Sequence, residues 1–188
     1  KNGWTANDPF FLPGALLDNM PNYQQGIISA LARFAFELTD QIGRTRGSSQ
    51  ADADLQEAAG QLQMPGNKWV WDPSTSLGLT ATSEQQYRKA MRALLAYDQR
   101  LIAGKASFER RSDNLLATLD RIAADLGSAS AALEQRIEEH SGDFIDFKAD
   151  DLFYNTKGRL YGYAVILREL GQDFDKVIAE KDLAQVWK

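Results

Sequence analysis

Residues 12–38 read LPGALLDNMPNYQQGIISALARFAFEL, and the second half of this stretch decides the fold. From Tyr23 to about Arg46 the apolar positions Ile27, Leu31, Phe34, Leu38 and Ile42 step by four, three, four and four, which is the period of one helix face. Ile28, Ala35 and Phe36 widen the stripe, so this helix is expected at the centre of the molecule and buried on more than one side. The first half is its approach. Pro13-Gly14 reads as a turn pair, because proline presets φ and glycine accepts the positive φ of a type II turn. Pro21 pushes Met20 towards extended backbone. Asn22 then reads as the N-cap, with Gln25 three residues on completing an amide capping box; Asn19 is the other candidate cap. Two readings stay open: a local turn and cap, or Asp18 and Asn19 beside a helix N-terminus, facing a cleft for something polar.

Working outward, the rest of the chain is helical in pattern. At 188 residues, with 44% hydrophobic and 25% charged residues, it is long and apolar enough for one sizeable core and is not of disordered composition. A weak helix covers Asp52 to Gln63, with Leu55, Ala58, Ala59 and Leu62 on one face. Ser83 is expected to cap the next helix, with Gln86 at the box position. Its stripe is Tyr87, Met91, Leu94, Leu95, Leu101 and Ile102, and Gly104 ends it. A long helix follows from near Ser107 to about Glu139, with Leu115, Leu119, Ile122, Leu126, Ala129, Leu133 and Ile137 close to heptad spacing and Gly127-Ser128 as a possible bend. Asp150-Asp151 open another helix, where carboxylates suit the positive dipole end. In that helix Gly158 and Gly162 mark a close backbone approach, and Gly171 is read as its stop. The expected fold is therefore all-α: a single-domain bundle of five to seven helices with one long irregular loop over about 64–82. Residues 1–22 form an irregular lead-in and 23–188 the helical domain, one domain overall.

Composition excludes more chemistry than it suggests. A net charge of −5 and no basic run argue against nucleic acid. With no cysteine there are no disulfides, no thiol chemistry and no thiolate zinc site, which fits a periplasmic protein. There is no P-loop, no dinucleotide glycine motif and no nucleophile elbow, and no cofactor is expected. His140 with Asp143 and Asp146 is loosely metal-like in spacing, but a helix C-terminal residue explains it better, and no metal is expected. In the irregular stretch, Trp69 and Trp71 would share a face if extended, either clamping the loop to the helices or lining a sugar or peptide cleft. Carboxylate pairs remain as acid–base candidates: Asp18 with Asp150 or Asp151, at a spacing that would decide between retaining and inverting glycoside hydrolysis.

PGALLDNMPNYQQGII, at 13–28, closely resembles the opening motif of a bacterial family of unknown function, number 2333, whose members read much like P-G-V-L-x-D-N-M-P-N-W-x-x-G. DDLFYNTKGRLYGY, at Asp150 to Tyr163, resembles a second family motif: an acidic pair, an aromatic pair and a glycine on a helix. The departures are Tyr23 in place of tryptophan and the pair Asn155-Thr156. The resemblance implies a soluble domain behind a single N-terminal membrane anchor, and it implies no activity. The chain does not start with methionine, so it is taken as a fragment whose anchor lies upstream, at the periplasmic face of the inner membrane.

Two functions are expected on this footing. One is noncatalytic binding of an envelope protein or glycan, with Asn19, Asn22, Tyr154, Trp69 and Trp71 as candidate ligand contacts. The other is a glycan-directed hydrolase using Asp18, Asp150 or Asp151. The two motifs are expected to meet in space, since the helices they open are the most apolar in the chain and carry the glycines for close approach.

Overall fold

The computed structural model describes residues 3–9, 12, 17, 19–42, 51–70, 80–140 and 147–187. Six α-helices account for most of them: α1 (Asn19–Glu37), α2 (Ala53–Leu62), α3 (Ser83–Ile102), α4 (Ser112–His140), α5 (Phe147–Asp173) and α6 (Asp175–Glu180). No strand occurs among the described residues, and the fold is an all-α single domain, as the periodicity predicts. Residues 63–70 and 80–82 are irregular, in keeping with the loop expected between α2 and α3.

The central helix starts earlier than its pattern suggests. Asn19, Met20 and Pro21 are already helical, so Asn22 lies inside the helix and is not its cap. Proline is tolerated here because an amide in the first turn has no intrahelical partner to lose. Gln25 does not close a capping box either; its side-chain amide donates back to the Pro21 carbonyl at 3.3 Å. At the other end α1 widens into a π-helical turn, Leu38–Ile42. The Ile42 carbonyl that this turn releases accepts from the Glu109 N–H at 2.9 Å, and Leu38, Thr39 and Ile42 stay buried.

Glycine and alanine decide how the helices meet. Asn22 faces Asp151, Gly26 faces Gly158, and Ala30 faces Gly162, so α1 and α5 run parallel and share the most extensive interface in the domain. A methyl group on Gly26 would lie 2.0 Å from the Asn155 carbonyl oxygen, and one on Gly158 would lie 2.1 Å from that of Tyr23. Both helices therefore touch backbone to backbone, the approach that only glycine permits. Gly171 does not stop α5, which runs on to Asp173; its bare face instead accommodates the Trp187 indole, 2.3 Å from where a Cβ would stand.

On the other side, α2 and α3 pack antiparallel through Ala58, Ala59, Ala90 and Ala93, with Ala35 of α1 and Leu62 completing a second, alanine-rich core. The main core draws on all six helices, through Ala30, Leu55, Tyr97, Leu115, Ile122, Tyr163, Ile166, Leu170 and Ile178. The α3 cap sits one residue before the expected one. Thr82 accepts from the Gln85 N–H at 3.2 Å and Gln85 reaches back, while Ser83, fully buried, donates to the Pro65 carbonyl at 2.6 Å. Gly104 ends α3 as expected, at φ +66°, with Lys105 N–H bonded to the Arg100 carbonyl.

Two stripes are used differently from their pattern. The buried face of α3 is Ala90, Ala93 and Tyr97, and this turns Met91, Leu95 and Ile102 outward. The long helix begins at Ser112 and not near Ser107, and it runs through Gly127-Ser128 without a break to His140. Its heptad residues bury Leu115, Ile122 and Ala129, but Ile137 is 63% exposed, so only the first half of α4 packs on the body.

Candidate functional site

The structure brings part of the expected site together at the start of α1 and α5. The Asn22 side-chain amide donates to Asp151 at 2.6 Å, and the Asn155 amide donates to the Asn22 carbonyl at 3.4 Å. α5 starts at Phe147, before the acidic pair expected to open it, so of the two only Asp150, half-buried, lies in the first turn, where the positive end of the helix dipole favours a carboxylate. Tyr154 packs edge-on against Phe153 with centroids 5.4 Å apart, and the Lys157 ammonium lies 5.5 Å over its ring. Asn19 is helical, and its side-chain oxygen is buried with no hydrogen-bond partner among the described residues. Trp69 is half-buried in the irregular segment before α3, where its carbonyl accepts from the Thr80 hydroxyl at 3.0 Å. Asp18 and Trp71 lie outside the described residues, as do Pro13-Gly14, Asp143 and Asp146. His140 is the last residue of α4, and no group of three potential metal ligands occurs among the described residues.

The N-terminal lead-in buttresses this end. Trp4 donates from its indole to the Gly66 carbonyl at 2.9 Å and meets the Tyr87 ring edge-on at 5.0 Å. Thr5 is tied to Gln24 of α1 and Asn7 to the Lys68 carbonyl, so the segment 3–9 joins α1 to the loop before α3.

A second constellation is one that sequence reasoning missed. Asp125 of α4, buried in the main core, accepts from the Tyr163 hydroxyl at 2.9 Å, from Arg159 at 3.2 Å and from Arg33 at 3.2 Å. One turn further along α1, Glu37 is only 5% exposed and meets Arg121 of α4 at 3.3 Å. Burial raises the Glu37 carboxyl above its ordinary value, against the opposing pull of Arg121; the neighbouring Asp40 raises it further and Arg33 lowers it. Burial, reinforced by its bond to Asp125, likewise pushes the Tyr163 phenol up. The signal was present: Arg33 and Glu37 are the two charged residues of α1, four apart on an otherwise uncharged helix. They line a recess of about 620 Å³ together with Arg121, Asn155, Phe36 and Met64.

A larger, mostly apolar groove of about 1030 Å³ lies between α3 and α5, meeting the recess at Ile28, Leu62 and Tyr87. Leu31, Leu38, Leu94 and Ile166 form part of its lining, and Met91 and Ile102 of α3, the latter 82% exposed, belong to it as well. Asp98, Glu169, Asp173 and Arg110 also line it, and Arg110 is paired with Asp173 at 3.8 Å.

No curated protein and no solved structure matches the chain. The profile of a bacterial family, described as “Uncharacterized protein conserved in bacteria (DUF2333)”, matches residues 1–144, which takes in the first motif and α1 to α4 but stops short of the second motif on α5. On that match the chain belongs to this family of bacterial proteins.

Proposed function

We propose that the domain is a noncatalytic binding module of the bacterial cell envelope, and that it docks an amphipathic helix of a partner protein in the groove between α3 and α5. The observation that carries this reading is the outward turn of Met91 and Ile102, which leaves α3 with a large apolar stripe that no helix of the chain covers among the described residues. A groove walled by two helices and floored by a third accepts a helix with anchors spaced three and four apart. Three carboxylates against one guanidinium make the groove lining acidic, which favours a helix carrying lysine or arginine beside its apolar face. Within this reading the domain stands at the periplasmic face of the inner membrane, tethered through a segment upstream. Its lack of cysteine accords with that compartment, and among the described residues no helix is long and apolar enough to cross a membrane.

The test is fluorescence anisotropy with two designed amphipathic peptides of about 18 residues, one leucine–lysine and one leucine–glutamate. The lysine peptide is expected to bind with a Kd of about 10 μM or tighter, and Ile102→Asp to abolish that binding. This variant adds negative charge while spoiling the apolar lining, so its loss of binding separates groove docking from general attraction to an acidic protein. Equal binding of both peptides, or unchanged binding by Ile102→Asp, would overturn the reading.

A further inference from the structure

We propose that the polar recess beside α1 is a second, separate binding site, which takes the oxyanion of a small organic acid, a carboxylate or phosphate monoester, between the guanidinium groups of Arg33 and Arg121. The two arginines come from different helices, α1 and α4, yet line the same recess of about 620 Å³, a volume suited to a metabolite-sized ligand. Each is held from within by a buried carboxylate: Arg33 by Asp125 at 3.2 Å and Arg121 by Glu37 at 3.3 Å. Each contact engages one nitrogen of its guanidinium, Nη2 of Arg33 and Nε of Arg121. A guanidinium carries five N–H groups, and these side chains are 57% and 67% exposed, so each keeps donors accessible to a ligand. The guanidinium fork suits carboxylate and phosphate geometry, and two of them line this recess.

Charge and lining agree with that assignment. The charged residues of the lining are Arg33 and Arg121 against Glu37, with Asp40 close to Glu37, in a chain of net charge −5. Ser29 and Asn155 add uncharged polar groups to the lining. Phe36 and Met64, both exposed apolar side chains of the same recess, supply a surface for the body of the ligand. The groove between α3 and α5 offers no such pair of guanidiniums, so this site does not depend on the partner-helix reading.

The probe is phenyl phosphate, titrated into the folded protein by calorimetry at neutral pH and low salt. Saturable one-to-one binding is expected with a Kd of about 1 mM or tighter, weakening as salt is added. The double variant Arg121→Gln/Glu37→Gln removes the α1–α4 ion pair as a unit, leaves no buried charge unpaired, and is expected to weaken binding at least about tenfold. Arg88→Gln, on an exposed pair with Glu84, is expected to bind as the parent does. In the unmodified protein, the side-chain N–H signals of Arg33 and Arg121 should shift during the titration, a readout independent of how any variant folds. No saturation below about 10 mM, shifts confined to other arginines, or full binding by the folded double variant would overturn the proposal.

Discussion

Gly26 shows how much of this fold rests on a missing side chain. A Cβ there would stand 2.0 Å from the Asn155 carbonyl oxygen and 3.0 Å from the Arg159 backbone nitrogen, and neither atom can move without shifting α5. Gly26→Ala is therefore expected to cost about 3 kcal/mol or more in urea unfolding, despite the higher helix propensity of alanine. Gly60 is the internal control. It lies in α2 with nothing within 4 Å of its missing Cβ, so Gly60→Ala should stabilise by about 0.5–1 kcal/mol. If both substitutions were neutral, the α1–α5 contact would be looser than drawn. At this scale the sequence was readable where a residue type has one use. Gly158 and Gly162 mark close approach, Gly104 marks a left-handed helix end, and each does so in the structure. It was unreadable where a residue type has several. Asn22 looks like a cap but bonds across to Asp151, and Gly171 looks like a stop but makes room for Trp187. The partners of these two lie far along the chain, at separations that local pattern cannot reach.

Between elements, α2 and α3 are fastened by an ion cluster as well as by alanines. Arg100 near the end of α3 grips Asp52 with both of its terminal nitrogens, at 2.8 and 2.6 Å, and also bonds Asp54. Asp52 meanwhile caps α2, its side chain accepting from the Asp54 and Leu55 N–H groups. The hydrogen bonds from Arg100 hold the Asp52 carboxyl below its ordinary value of 3.8, with the Leu55 N–H helping and burial opposing. A depressed folded pKa means that the unfolded chain takes up the proton first as pH falls. The contribution is thus complete above about pH 4 and is lost as acid carries the folded carboxyl through its own pKa. Asp52→Asn keeps an oxygen for the cap and loses the charge. Its deficit against the parent should be largest at neutral pH and should shrink as pH falls below about 4 in parallel urea titrations. A deficit that stayed constant with pH would mean that Asp52 acts through its cap alone. The helices that this clamp joins were legible from period, but which face each turns inward was not. On α3 the pattern favours Met91 and Ile102, the largest apolar residues, whereas tight helix pairing selects Ala90 and Ala93. The groove follows from that preference for small residues at a close crossing.

For the whole molecule, the chain order of the core makes a sharper demand than the family match alone. The match covers residues 1–144, and so ends after α4. Yet α5 is the principal partner of α1, and the main core draws Tyr163, Ile166, Leu170, Phe174 and Ile178 from residues beyond the match. Without them, Ala30 of α1 would lose the face it packs on, while Asp125 would lose the Tyr163 hydroxyl and Arg159 and remain a poorly paired carboxylate in what is left of the core. Removing one whole wall takes away several side chains that are each worth about 2 kcal/mol or more on burial, against a total stability of about 5–15 kcal/mol for a domain. A chain cut to residues 1–144 is therefore expected to lose cooperative unfolding in urea. The α2–α3 pair, with its own alanine core, capping box and Arg100 cluster, should keep part of the helical circular dichroism signal. The same fragment should bind the dye ANS, which the full chain binds far less, because the face of α1 that α5 covers becomes exposed. Adding a separate peptide of residues 147–188 should restore the cooperative transition, since α5 brings its own glycines and Gly26 of α1 remains in place to receive it. A sharp urea transition for residues 1–144 alone would show that α1 finds enough cover in α2, α3 and α4, and that α5 adds to a core already complete.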